Sequence, residues 1–313
     1  MKIVLLDIET LGEDSNLKVF EAFGTVNYYA TTLTKQETIQ RLQDATVVIT
    51  NKVIIDKDIL DHTPTLKLIC VAATGMNNID IPYATQKGIQ VKNVSGYSTH
   101  SVVQHTFAML FFLLEKMHYY HHYVESGQWS KSPIFTHLKE PFHEIYGKKW
   151  GIIGFGQIGQ EVAKVATSFG AEVSYYSTSG KNLKHAYPHK SLEFILKDSD
   201  IISIHAPLNE QTYELINEIN LPFIKEDAIL LNLGRGGIID ETDLSYELDR
   251  KRFYAGLDVL EKEPIEPFNR LNEIQHKERL LLTPHIAWGS VEARQKLIQG
   301  IVENITIFLN QKV

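Results

Sequence analysis

Short apolar runs alternate with amphipathic stretches along the whole 313-residue chain. That alternation predicts parallel sheets joined by crossover helices. In the first hundred residues Ile3–Leu6, Val26–Tyr29, Val47–Thr50, Leu68–Ala72 and Ile89–Asn93 read as strands. Helices fill the gaps, among them Lys35–Gln43 and Ile79–Gln86, with Gly88 where a helix stop belongs. From about Ser98 to Glu125 the spacing of Val103, Phe107, Leu110, Phe111 and Leu114 predicts one long helix facing a core or another subunit. The aperiodic stretch 127–146 follows. Its Trp129, Phe135, Phe142 and Tyr146 argue for a loop packed on another subunit rather than for disorder.

A second strand-helix series begins at Lys148, with strands expected at Trp150–Gly154, Glu172–Tyr176, Ile201–His205, Ile229–Leu233, Tyr254–Leu257 and Leu280–Thr283. The last helix, Val291–Asn310, carries Ile298, Ile301, Ile305 and Phe308 on one stripe and has no strand after it. It is expected to pack back on the first domain. The fold class is α/β with two doubly wound parallel sheets. The expected division is residues 1–98 plus 287–313 for one domain and 99–286 for the other.

Composition narrows the class of protein. An apolar fraction of 43% with 22% charged residues is that of a soluble globular protein. A net charge of −7 without a basic block argues against nucleic acid. The single cysteine, Cys70, lies in an apolar run and reads as core, so a reducing cytoplasm is expected. The amino-terminal apolar run is too short for a signal peptide, and no stretch approaches a membrane span. His118, His122 and Glu125 stand at helical spacing, but among Tyr119, Tyr120 and Tyr123 they read as a wet or intersubunit face; no metal is expected.

The first chemical signal is Gly154-Phe155-Gly156-Gln157-Ile158-Gly159, between an expected strand and helix. In that context the glycines permit a tight turn, close approach of a pyrophosphate and close helix-strand packing, with the helix N-terminus facing the phosphates. The following strand should end in Asp or Glu if it grips an adenosine ribose. Here Ser177, Thr178, Ser179 and Lys181 stand instead, which favours the 2′-phosphate of NADP. NAD held through Ser177 and the backbone is the other reading.

Three further polar residues each follow a strand of the same series. Arg235, flanked by glycines, offers a planar fork for a carboxylate and would polarise a keto oxygen. His285 offers a proton. Glu263 shares its loop with Asp258 and Glu261, and periodicity does not choose among them; Asp258, at the strand end, is placed to meet the nicotinamide side of a cofactor. Singly, each of the three is more often structural. Their shared position after strands of the glycine-turn sheet points to hydride transfer involving a 2-keto acid.

These motifs, Gly154–Gly159, Asn232–Gly237, Asp258–Pro264 and Pro284–Trp288, together with Val71–Asp80, resemble the D-isomer-specific 2-hydroxyacid dehydrogenase family over nearly the whole chain. The resemblance implies a Rossmann cofactor domain inserted into a flavodoxin-like substrate domain, and a homodimer built around the former. It implies substrate binding by Arg235 and by backbone N–H groups of Ala73, Thr74 and Gly75. It gives Glu263 the raising of the histidine pKa and His285 the acid-base work. It also places His205, Ala206, Pro207, Thr212, Leu233, Gly234, Asp258, His285 and Trp288 at the cofactor. Thr50-Asn51-Lys52 and His285–Trp288 most resemble glycerate dehydrogenase/hydroxypyruvate reductase members, with Lys52 adding positive charge near the substrate. Formate dehydrogenases of the family carry glutamine where Glu263 stands. Reduction of hydroxypyruvate or glyoxylate is therefore the expected activity. A nucleotide-sensing, corepressor-like scaffold and a short phosphoglycerate dehydrogenase are the alternatives.

Overall fold

The near-continuous apolar runs become strands buried on both faces, as all-parallel sheets require. In the first sheet these are β1 (Lys2–Leu5), β2 (Thr25–Tyr28), β3 (Val47–Thr50), β4 (Leu68–Val71) and β5 (Gln90–Lys92), all parallel and ordered β2-β1-β3-β4-β5. Every residue of β3 and β4 is buried. The crossover helices are α1 (Lys35–Leu42), α2 (Lys57–Asp61) and α3 (Ile81–Gln86). Each starts where its sequence supplies a cap: Thr34 and Glu37 form a reciprocal capping box, and Asp56 and Asp80 accept from the third backbone N–H of their helices. Cys70 is buried on β4, where burial pushes its thiol up to about 12.

The computed structural model describes residues 1–181, 183, 185–250 and 252–311, and it divides into two units, Met1–Ser98 with Gly289–Val313 and Thr99–Trp288. The second unit opens with α4 (Thr99–Leu114) and α5 (Met117–Glu125). One long helix was expected here. Lys116 takes a left-handed backbone conformation, φ 53°, and ends the hydrogen-bond ladder between the two. Apolar periodicity does not register such a break, because Val103, Phe107 and Leu110 bury one face of α4 alone. The stretch after α5 holds only a short 3-10 turn at Trp129–Lys131, and its Trp129, Phe135, Phe142 and Tyr146 are exposed in the single chain.

The second sheet follows: β6 (Lys149–Ile153), α6 (Gln157–Ser168), β7 (Glu172–Tyr176), α7 (Leu192–Asp198), β8 (Ile201–Ile204), β9 (Ile229–Asn232), α8 (Glu241–Asp249), β10 (Tyr254–Leu257) and β11 (Leu280–Leu282). Its six parallel strands run β11-β10-β9-β8-β6-β7. The strand order reverses between β6 and β8, the switch point outside which such sheets bind ligands. One core packs α4 and α6 on Trp150, Ile152 and Leu231; the other lies on the opposite face around Ile202, Leu230 and Phe253.

The final helix, α9 (Val291–Asn310), belongs to the first unit and packs on β4. Its buried stripe is Ala293, Leu297, Ile298, Ile301, Ile305 and Phe308. Arg294 in its first turn is paired with Asp14, Nη2 to Oδ2 at 2.8 Å, which holds the Asp14 carboxyl below its usual range.

Candidate active site

Strands of one parallel sheet deliver their following loops to a common edge, so the sequence order of the candidates becomes a spatial cluster. In the second unit the glycine turn follows β6, His205 follows β8, Arg235 follows β9, Asp258 and Glu263 follow β10, and His285 follows β11.

Gly154 has φ +90°, and a Cβ there would stand 2.7 Å from the Ala206 backbone nitrogen. Gly159 is buried against the Gly154 carbonyl. Gly156 is different. Its φ of −77° suits any residue, and a Cβ there would meet nothing within 4 Å. Neither backbone conformation nor crowding among the described residues requires a glycine at that point, and the space beside it is open to an approaching ligand. The N-terminus of α6 receives no side-chain cap from Gly156, so the first N–H groups, from Gln157 and Ile158 onward, face outward. The turn thus fits a dinucleotide pyrophosphate.

The ribose end of that site is a tight turn with no acid in it. Gly180 N–H donates to the Ser177 carbonyl and Lys181 N–H to Ser179 Oγ; Ser177 is buried, while Ser179 and Lys181 are exposed. Ala206 is buried and Pro207 exposed. Thr212, expected at the cofactor, lies in the loop after β8. Its side chain is fully buried, donating to the Pro207 carbonyl and accepting from Asn209 N–H, so it closes the 207–212 loop from within. Both ring nitrogens of His205 are buried without a hydrogen-bond partner among the described residues, and burial lowers its pKa to about 3.

Arg235 sits between two backbones. A Cβ on Gly234 would stand 2.7 Å from the Ala206 carbonyl oxygen, and one on Gly236 would collide with the Leu260 backbone. Asn232, buried at the end of β9, ties the turn: its Nδ2 donates to the Arg235 carbonyl at 2.9 Å and its Oδ1 accepts from Gly234 N–H at 3.0 Å. The guanidinium donates from Nη1 to the Gly234 carbonyl. Leu233 is buried below, and Trp288 lies on the core of α4 and α6.

Of the three acids after β10, the structure singles out Glu263. Its Oε2 lies 2.7 Å from His285 Nδ1, and its Oε1 accepts from Leu260 N–H at 3.1 Å. A carboxylate only accepts, so Nδ1 carries the proton it donates and Nε2 is the nitrogen left for exchange. Glu261 turns elsewhere, to Tyr213. Asp258 is buried and gives its carboxylate to the chain: to Thr283 Oγ1, Ile286 N–H and Ala287 N–H. His285 itself is held at φ 54°, a conformation rare outside glycine and found at functional sites. The sequence carried no signal of that strain.

In the first unit Lys52 and Ala73–Gly75 follow β3 and β4. Asp7, buried at the end of β1, accepts from Asn51 N–H, Lys52 N–H at 2.7 Å and Thr50 Oγ1, and so shapes the Lys52 loop. Burial raises its pKa against those hydrogen bonds. Sequence reasoning passed over it, although an acid closing the apolar run Ile3–Leu6 was a legible sign. The N–H groups of Ala73, Thr74 and Gly75 have no acceptor among the described residues, while Asn93 Nδ2 donates to the Thr74 carbonyl.

A glycine turn at the switch point of a parallel sheet, and on the same sheet a histidine whose tautomer a carboxylate fixes, are features of dinucleotide-dependent oxidoreductases. The particular family follows from comparison. A profile described as "D-isomer specific 2-hydroxyacid dehydrogenase, NAD binding domain" matches residues 107–287, and the chain belongs to that family as an oxidoreductase acting on CH–OH groups. It is 36% identical to a glycerate dehydrogenase of Methylorubrum extorquens, over 99% of this chain and 97% of the relative. It is 35% identical to a hydroxypyruvate reductase of Blautia hydrogenotrophica with the same coverage. Among solved structures, an acyclic imino acid reductase (Bsp5) in complex with NADPH and D-Arg superposes with a TM-score of 0.86 at 31% identity, covering 100% of this chain and 98% of that one. The D-lactate dehydrogenase of Aquifex aeolicus, complexed with NAD and lactic acid, gives 0.82 at 25% identity, covering 99% and 96%.

Proposed function

We propose that the protein reduces a small 2-keto acid, hydroxypyruvate or glyoxylate, to the D-2-hydroxy acid, with His285 as proton donor. The observation that carries this reading is the 2.7 Å contact between His285 Nδ1 and Glu263 Oε2, which leaves Nε2 as the exchanging nitrogen. The nicotinamide cofactor, when bound on the Gly154–Gly159 turn, supplies the hydride. The chain does the rest. Arg235 takes the substrate carboxylate and draws charge from the keto oxygen, and His285 Nε2 gives that oxygen its proton. Glu263, fixed by Leu260 N–H, keeps the imidazole in one orientation and one tautomer. On the first unit, the amides of Ala73–Gly75, which have no acceptor among the described residues, and the charge of Lys52 are assigned to substrate binding.

NADP is the preferred cofactor in this reading. Ser177, Thr178, Ser179 and the exposed Lys181 stand where an acid would repel a 2′-phosphate. The imino acid reductase, bound to NADPH, is a neighbour consistent with that choice. His205, Ala206, Pro207, Leu233, Gly234 and Trp288 are assigned to the cofactor, and the exposed aromatics Trp129, Phe135, Phe142 and Tyr146 to a homodimer contact. A cytoplasmic location accords with the lone buried cysteine; among the described residues no helix is long and apolar enough to cross a membrane.

The test is the initial rate of hydroxypyruvate and glyoxylate reduction with NADPH and NADH side by side. Turnover with NADPH preferred is expected. Preference for NADH would make the Ser177–Lys181 turn a permissive ribose site, and no turnover with either acid would overturn the substrate assignment.

A further inference from the structure

We propose that Asp258, Thr283 and His105 form a positioning clamp that holds the loop after β11, and with it His285, in its strained catalytic conformation. The proposal rests on the reading of His285 as proton donor and adds to it what keeps that donor in place.

His285 has φ 54° and a backbone N–H bonded to the Thr283 carbonyl at 2.9 Å. A non-glycine residue in that region costs of order 1–3 kcal/mol and persists only where its surroundings over-determine it. The residues on both sides of His285 supply that determination. Thr283 Oγ1 donates to Asp258 Oδ1 at 2.6 Å, Ile286 N–H donates to the same oxygen at 2.9 Å, and Ala287 N–H donates to Oδ2 at 2.9 Å. Ser101 Oγ on α4 donates to the Ala287 carbonyl at 2.6 Å, so residue 287 is held by both its N–H and its C=O.

The hydrogen-bond directions then extend the network by one residue. The single hydroxyl proton of Thr283 goes to Asp258, so at 3.1 Å the hydroxyl accepts from His105 Nε2–H. The same nitrogen lies 3.5 Å from Asp258 Oδ1, and the His105 side chain is mostly buried on α4. A carboxylate closing β10, a hydroxyl closing β11 and a histidine from α4 therefore converge on one backbone loop. None of the three needs to touch substrate to act.

Thr283→Val tests the clamp, because it removes the hydroxyl at nearly constant volume and alters no group assigned to substrate or cofactor. The expected result is a fall in kcat of about tenfold to a hundredfold, since small displacements of a catalytic group carry losses of that order. The keto-acid KM and the NADPH Kd, measured by cofactor fluorescence, should stay near wild type. Thr283→Ser, which restores the hydroxyl, should restore kcat. An unchanged kcat in Thr283→Val overturns the proposal. So does an equal loss in Thr283→Ser, or a loss of cofactor affinity that accounts for the fall in rate. His285→Gln in the same assay separates the two claims. If it is slow while Thr283→Val is normal, the clamp alone fails; if it keeps the full rate, the reading of His285 fails and the clamp with it.

Discussion

His205 is a buried imidazole with neither ring nitrogen paired among the described residues, and its pKa, about 3 against an ordinary 6.5, has a consequence for stability. Between those values the unfolded chain takes up a proton that the folded chain refuses. Stability is therefore intact above about pH 6.5 and declines as pH falls through the window toward 3. One proton is worth about 1.4 kcal/mol per pH unit, so this residue removes about 2 kcal/mol between pH 7 and pH 5. Urea unfolding of the cofactor-free protein at the two pH values should show that loss, and His205→Leu should reduce it by about the same amount. Equal losses in both proteins would contradict the assignment of the acid sensitivity to His205. At this scale the sequence revealed residue types but not their states. Arg235, Glu263 and His285 could be chosen because each follows a strand; periodicity alone left Glu263 and Glu261 open and the family resemblance favoured Glu263, which the structure places 2.7 Å from a residue 22 positions away. Thr212 shows the converse. A hydroxyl in a loop looks available, and here it is spent on its own loop.

Among elements, strands were the easiest to read because burial on both faces writes itself as an unbroken apolar run. The expected strands overrun the observed carboxyl ends by one residue in most cases, while β1, β2 and β6 begin one residue earlier than expected. Helices were less legible. Periodicity placed α4 and α9, but the left-handed Lys116 between α4 and α5 left no trace in the pattern. The glycines of the two active-site turns allow a comparison. Gly156→Ala introduces a Cβ into open space, so it should leave the melting temperature unchanged while weakening NADPH binding about tenfold, or 1.4 kcal/mol. Gly236→Ala drives a Cβ into the Leu260 backbone and should cost at least about 1–3 kcal/mol, seen as a lower melting temperature without cofactor. Calorimetry with and without cofactor checks both. A destabilised Gly156→Ala with normal affinity would mean that the turn's glycine serves the fold alone.

For the molecule as a whole, the second sheet carries both the glycine turn and the His285–Glu263 pair, while the first carries Lys52 and the Ala73–Gly75 amides. Two physical facts made that division visible in advance: alternating strands and helices repeat twice, and an amphipathic last helix with no following strand must bury its stripe elsewhere. What stayed hidden were the partners of two buried acids, Asp7 under the Lys52 loop and Asp258 under the His285 loop. Buried acids leave no periodic signature, and their partners are backbone groups that every sequence possesses. The central claim joins these levels: a strained, carboxylate-fixed histidine protonates the keto oxygen as hydride arrives. Its most direct test is steady-state reduction of hydroxypyruvate by wild type and His285→Gln at pH 7, with NADPH binding measured in parallel. A kcat lower by about 10²–10⁴-fold with cofactor affinity near wild type is predicted. A variant that turns over as fast as wild type would contradict the account.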